Sequence, residues 1–225
     1  MAFGKIMEFD LNESIRVRLA PFSREDMPEF IKDGAMQTHA ITRYLLRNWA
    51  PVLEDEYEWF ESTRQDRSSI VWGIFVSDNG SDWQLIGNSS LNNIGDGVMR
   101  TATSGFMIFR PEWWGKGIAG KAHRARSWFA FKQTEIVMIR SSVLGPNVAS
   151  AKALQSVGYV PVFTERNMKL VDGEWLHELC LQAVNPEKWA WRLWWGDDRP
   201  PKAFADSRRT SAQALEWAEQ NLRLQ

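Results

Sequence analysis

Apolar and polar positions divide the chain into short segments with two different periods. Ile15, Val17 and Leu19 alternate with Arg16 and Arg18, which predicts a half-buried strand. Further strand-like runs fall at Ile70 to Val76, Trp83 to Leu91, Thr101 to Phe109 and Ile136 to Val143, with a last pair at Tyr159 to Leu170 and Trp175 to Val184. Turn-forming residues separate them at Asp78-Asn79-Gly80-Ser81-Asp82, Gly95-Asp96-Gly97 and Asp172-Gly173. Ser23-x-x-Asp26 predicts a capped helix through about Asp33, and Leu53 to Gln65 a second one, acidic at its start as the helix dipole favours. Ile118, Ala122, Ala125 and Phe129 recur at spacings of four, three and four, the mark of one buried helical face. Another helix begins at Asn147 and stops at Gly158. Residues 1–14 show no sustained pattern and read as a loose or partner-stabilised arm. Hairpin strands interrupted by helices predict an α/β (α+β) protein: a mixed, mainly antiparallel sheet with helices on both faces.

Composition narrows the function classes. At 225 residues the chain is long enough for one sizeable core, and its formal charge of −1 gives no broad field for nucleic acid or a membrane surface. Cys180 is the single cysteine, so no disulfide framework or Cys-rich metal site forms and no metal is expected. No apolar run reaches the length of a membrane span, and the N-terminus lacks a signal peptide's apolar region. A cytoplasmic protein is the expectation.

The most informative stretch is Met107 to Phe131. A strand end crosses Arg110-Pro-Glu-Trp-Trp114, passes Gly115-Lys116-Gly117-Ile118-Ala119-Gly120 and enters the amphipathic helix. A glycine-rich turn at a helix start aims several unpaired N–H groups in one direction, at the positive end of the helix dipole. That is a site for a phosphate or diphosphate. Gly115, Gly117 and Gly120 match the dinucleotide pattern G-x-G-x-x-G, with Glu135 twenty residues beyond Gly115. In that fold, however, the glycines follow the strand directly and the acid ends the next strand, whereas Glu135 begins the next apolar run. A Walker loop is excluded because Gly117, not Ser or Thr, follows Gly115-Lys116.

Trp114-Gly-Lys-Gly-Ile-Ala119, after a strand and a Pro-Glu-aromatic step, resembles the acetyl-CoA-binding turn of the GCN5-related N-acetyltransferases (the GNAT family), and within it the RimL-type branch, which modifies protein N-termini and small amines. Asn147-Val-Ala-Ser150 followed by Leu154 and Gly158-Tyr159, the turn Asp172-Gly-Glu-Trp175, and the early segment Arg43-Tyr-Leu45 are similar to that branch's landmarks and stand in its order. The resemblance covers Ile15 to Trp189. It implies a central strand pair, ending at Phe109 and Val143, that splays to admit the pantetheine arm of acetyl-CoA. The backbone of Met107, Ile108 and Phe109 would bond that arm. The N–H groups of Gly115 to Gly120 would hold the diphosphate, with Trp114 where relatives often carry Gln or Arg, and Lys116 as an accessory charge. Asn147 would contact the cofactor and Ser150 the departing sulfur, although Asn147 at a helix start also reads as an N-cap.

Acetyl transfer to an amine needs a neutral nucleophile, a polarised carbonyl and a protonated leaving thiolate. Many relatives place a Glu on the strand before the turn, but Thr101-Ala-Thr-Ser104-Gly-Phe carries none, and Glu112 lies toward the turn's outer side. His177 and Glu178 project to opposite faces of the last strand, so at most one faces a cleft. His39 and His123 read as surface or boundary residues, Cys180 as a buried strand residue, and Asp96 and Glu54 as acids able to attract a cationic acceptor. Beyond Pro186, Trp189, Trp191, Trp194 and Trp195 crowd together, and a helix from Thr210 to Leu224 carries Ala214, Leu215, Ala218 and Leu222 on one stripe. The domain plan is therefore an arm (1–14), an acetyltransferase domain (15–189) and a Trp-rich extension (190–225), packed on the sheet or serving a homodimer. The expected function is acetyl transfer from acetyl-CoA to an amine acceptor. The alternative is a non-catalytic acyl-CoA-binding or interaction module.

Overall fold

The computed structural model describes residues 3–45, 49–95, 97 and 99–225. Two compact units emerge, Met1–Asn92 with Gly105–Ile118 and Leu222–Gln225, and Asn93–Ser104 with Ala119–Asn221.

In the first unit, β1 (Met7–Asp10), β2 (Ile15–Ala20), β3 (Ile70–Asp78) and β4 (Gln84–Asn92) pair antiparallel in sequence order. The C-terminal half of β5 (Thr101–Ile108) follows β4. Gly87 of β4 is required there, because a Cβ would lie 2.1 Å from the Met107 carbonyl oxygen. At the other edge, β9 (Arg223–Leu224) pairs with β1. The alternation that predicted β2 holds: Val17 and Leu19 are fully buried, while Arg16 and Arg18 turn to Glu8 and to the Trp83 ring.

The expected loose arm is instead part of this core. Met7 and Phe9 are fully buried, and Phe3 packs edge-on against Phe22. Burying two such side chains contributes roughly 3–6 kcal/mol. The Ser23–Asp26 cap forms, with the Asp26 carboxylate accepting from the Ser23 N–H at 2.7 Å. The segment it opens is a 3₁₀ helix, Arg24–Phe30, since Pro28 lacks the N–H an α-helix needs. Beyond it lie α1 (His39–Thr42) and α2 (Leu53–Gln65), the latter matching its predicted bounds. Met27, Phe30 and Phe60 cluster with Val71, Leu85 and Phe109.

In the second unit, the start of β5 pairs in parallel with β6 (Met138–Leu144), from Thr101↔Met138 to Thr103↔Arg140. β6 pairs antiparallel with β8 (Glu174–Val184), and β8 with β7 (Val160–Val171). The Asp172-Gly173 turn closes that hairpin with φ of 51° and 82°, the paired left-handed geometry of a tight turn. α3 (Ile118–Lys132) buries the predicted Ile118, Ala122, Ala125 and Phe129, and also His123, Arg126 and Ser127. His123 is therefore an interior residue, and the expectation of a surface or boundary histidine is corrected: it lies one position past Ala122 on a helix covered on more than one face.

The C-terminal helix also differs from expectation. After α4 (Val148–Gln155) and α5 (Lys188–Trp195), α6 runs Lys202–Asn221, starting just after Pro200-Pro201, and Arg223–Leu224 are strand. Met138, Val160, Val184 and Phe204 form a core patch against Trp191, Trp194 and Trp195. No helix among the described residues is long and apolar enough to cross a membrane.

Candidate active site

The glycine turn is built from the strand end upward. Phe109, fully buried, donates its N–H to the Ile86 carbonyl at 2.9 Å. Arg110 is anchored by Glu29 at 2.9 Å and Asp33 at 3.4 Å, which fixes the direction in which the chain leaves the strand. A 3₁₀ turn at Pro111–Trp113 follows, and Trp114 N–H closes it onto the Pro111 carbonyl. Gly115 (φ 72°) and Gly117 (φ 84°) are left-handed, and a Cβ on either would meet nothing within 4 Å. Their conformation demands glycine, yet no protein atom occupies the space beside them. No side chain or loop carbonyl among the described residues accepts from the N–H groups of Gly115 to Ala119. α3 starts at Ile118, so the positive end of its dipole lies at this turn. The fit to a diphosphate is good: open backbone donors, left-handed glycines and a helix N-terminus coincide.

Lys116 stacks its ammonium 4.4 Å from the Trp113 ring centroid, which places its charge beside the turn. Trp114, about half exposed, donates its indole N–H to the Ile108 carbonyl at 2.9 Å. Of the three strand residues expected to serve a pantetheine arm, Phe109 N–H and Ile108 C=O thus already have partners. Met107 O approaches Gly87. The Phe109 N–H is thus taken by β4, while the Ile108 carbonyl, holding the Trp114 indole, keeps a second lone pair.

In the second unit, Asn147 caps α4, its Oδ1 accepting from the Ser150 N–H at 3.2 Å. The capping reading of Asn147 is what the geometry shows. The Ser150 hydroxyl makes no hydrogen bond among the described residues. Ser104 on β5 bonds to the Ser141 hydroxyl at 2.9 Å, so the strand position without a carboxylate is occupied by a serine pair. Glu112, Glu54 and His39 are exposed, and Asp96 lies outside the described residues.

The faces of β8 resolve the His177–Glu178 pair. His177 is exposed, and its Nδ1 accepts from the Asn167 N–H at 3.2 Å. Glu178 is only 7% exposed and stands directly opposite Glu165. Ligand atoms of Glu165, Glu178 and Cys180 all lie within 4.8 Å of one another. Burial first, and then the charges of Glu178 and Glu165, push the Cys180 thiol up, so it is protonated at neutral pH. Glu165 was missed in the sequence. A regular count back from the Asp172-Gly173 turn pairs it with Cys180, but an irregularity between Glu165 and Lys169 moves it opposite Glu178.

A family profile described as "Acetyltransferase (GNAT) domain" matches residues 16–160. "Probable N-acetyltransferase YjcK" of Bacillus subtilis (strain 168) is 30% identical over 116 residues, 52% of this chain and 62% of the relative, so the chain spans somewhat under two thirds of that protein. Among solved structures, a spermidine N-acetyltransferase from Vibrio cholerae in complex with CoA and spermine is 19% identical, with TM-score 0.64 over 77% of this chain and 97% of the other. A ribosomal-protein-S5-alanine acetyltransferase from Vibrio fischeri is also 19% identical, with TM-score 0.61 over 86% and 99%. At such identity the solved structures establish the shared fold.

Proposed function

Because the chain belongs to the acetyltransferase (GNAT) domain family, whose acetyl donor is acetyl-CoA, we propose that it transfers an acetyl group to a primary amine as a member of the RimL-type branch. The acceptor is a protein N-terminus or a small amine. The observation that carries this reading is the turn at Gly115 to Gly120: left-handed glycines with empty space beside them, at the start of a 15-residue helix.

Each residue then has a defined task. N–H groups from Gly115 to Gly120 hold the diphosphate, and the Lys116 ammonium adds charge beside them. The amine lone pair attacks the thioester carbonyl, the C–N bond forms, the C–S bond breaks, and the proton lost by the attacking nitrogen passes through water to the departing sulfur, which leaves as coenzyme A thiol. Ser150, whose hydroxyl is otherwise unbonded, donates a hydrogen bond to that sulfur, while Asn147 fixes the first turn of α4 and so the position of Ser150. The serine works as a hydrogen-bond donor because its own pKa is too high for a strong acid. Alignment of the two substrates supplies a large share of the rate.

Residues 15–189 make up the proposed transferase domain and 190–225 an extension. Trp189 and Leu193, exposed one helical turn apart on α5, support a homodimer through that extension. The lack of a carboxylate on β5 favours one competing reading, a non-catalytic acyl-CoA binder. Thiol release from acetyl-CoA across a panel of amines separates the two: turnover with any amine supports the transferase, and coenzyme A binding with no turnover supports the binder.

A further inference from the structure

α3 begins against the usual charge preference. Acidic residues favour the positive end of a helix dipole, and α2 carries Glu54, Asp55 and Glu56 in its first turn. The first turn of α3 has no acid and instead holds Lys121, with Lys116 just before the helix and Arg124 further along it. Lys121 and Arg124, three residues apart, share one face of the helix and repel each other. Arg124 has no hydrogen bond or ion pair among the described residues, and its Nε is buried without a partner. Both cations share a ring. Arg124 Cζ lies 5.2 Å and Lys121 Nζ 5.9 Å from the centroid of the Trp217 indole on α6. An indole carries no net charge, so it orients the two cations without neutralising them. All three residues lie within the second unit, and Trp217 stands beyond residues 16–160, the stretch matched by the acetyltransferase profile. Without an anion this arrangement costs stability, and the diphosphate at the glycine turn already has Lys116 beside it.

We infer that Lys121, Arg124 and Trp217 form a subsite for a phosphomonoester, the 3′-phosphate on the ribose of acetyl-CoA. The inference rests on the transferase reading, since it takes acetyl-CoA as the ligand. Coenzyme A carries one phosphomonoester besides its diphosphate. That group holds about −1.5 to −2 charge at neutral pH, which two cations match. The helix sets a suitable separation from the turn. At a rise of about 1.5 Å per residue, Lys121 and Arg124 lie roughly 5 and 9 Å along the axis from Ile118, and helical side chains lean back toward the N-terminus. The guanidinium offers a fork of N–H donors to phosphate oxygens, and the ammonium adds a point charge. Stacking on Trp217 holds the long arginine in place before the ligand arrives, which lowers the cost of ordering it on binding. Through Trp217 the C-terminal extension takes part in cofactor recognition.

The test titrates the full chain calorimetrically with coenzyme A and with dephospho-coenzyme A, which differ only in that phosphate. Wild type should bind coenzyme A at least about tenfold more tightly, with the gap narrowing as salt is raised. Arg124→Gln and Lys121→Gln should each weaken coenzyme A at least about fivefold while leaving dephospho-coenzyme A within about twofold of wild type. Trp217→Leu should narrow the gap between the two ligands in the same way. A merely structural role for these residues would shift both ligands alike. The wild-type comparison needs no variant, so it decides the matter even where a substitution unsettles α3 or α6. Equal affinity of wild type for the two ligands, or variants that lose both in proportion, would overturn the proposal. Failure of wild type to bind either ligand would instead overturn the transferase reading itself.

Discussion

Gly158 offers a sharp test of how the C-terminal helix belongs to the second unit. It sits after α4 with φ of 94°, and a Cβ built there would lie 1.9 Å from Ser211 Oγ and 3.0 Å from both Ser211 Cβ and Ser211 N. Ser211 is buried on α6. Gly158→Ala therefore meets two separate costs. Left-handed backbone costs an L-residue about 1–2 kcal/mol. Forcing a methyl into the Ser211 contact adds about 1–3 kcal/mol. The sum is on the order of 2–5 kcal/mol, and at about 2–4 °C per kcal/mol for a chain of this size it lowers Tm by roughly 4–20 °C. Ser211→Ala removes the nearest atom but leaves the backbone strain. In the double variant the second cost shrinks, so a double-mutant cycle should show favourable coupling of about 1 kcal/mol or more. Urea unfolding followed by tryptophan fluorescence, with thermal melts in parallel, supplies the four stabilities. A Gly158→Ala variant within about 0.5 kcal/mol of wild type, or a cycle with no coupling, would refute the packing of α6 on this loop.

Other consequences are equally specific. Glu8, 4% exposed, is ringed by Arg16 at 3.6 Å, Arg18 at 3.4 Å and Arg223 at 3.4 Å, so Glu8→Gln should cost about 1–3 kcal/mol in urea unfolding, whereas Arg223→Ala, about half exposed, should cost under about 1 kcal/mol. Burial, with the Arg126 charge second, drives the His123 pKa well below its ordinary value. Above that ordinary value, near 6.5, the folded and unfolded chains hold this imidazole alike; as pH falls below it only the unfolded chain takes the proton, so stability should drop by up to about 1.4 kcal/mol per pH unit. Stability measured from pH 7 to pH 5 should show this slope in wild type and a shallower one in His123→Gln; equal slopes contradict it. Asn147→Ala should cost about 1 kcal/mol through the lost cap, and Ser150→Ala should lower kcat by roughly 10- to 100-fold with acetyl-CoA affinity intact, which single-turnover assays beside calorimetry would check.

Much of the fold was legible because local pattern and tertiary burial agree in it. β2 and α2 follow their periodicities, and the Asp172-Gly173 turn carries its own conformational signal. The glycine turn was readable for the same reason, since left-handed backbone and open space leave a mark on residue choice. The misreadings come from contacts and irregularities that leave no mark in local periodicity, some of them with parts of the chain remote in sequence. β1 has only four residues, and part of its support comes from β9 at the opposite terminus. His123 appeared polar-facing, but α3 is covered on more than its apolar stripe. The Trp114 indole sits on the Ile108 carbonyl, a bond no strand pattern announces. Glu165 escaped notice because the irregularity in β7 changes the residue it faces.

The central claim is that peptide N–H groups at the start of α3 grip a diphosphate, and one titration tests it most directly. Gly117→Val points a side chain into space that holds no protein atom within 4 Å, so the side chain's main effects fall on local backbone strain and on whatever binds there. Two or more charge-assisted bonds at about 1.5–3 kcal/mol each are at stake, which corresponds to a loss of at least about 100-fold in affinity. Calorimetry of coenzyme A against wild type and the folded Gly117→Val chain should show tight binding to the first and a loss of that size in the second. Equal affinity for both, with circular dichroism confirming an intact variant, would contradict the account.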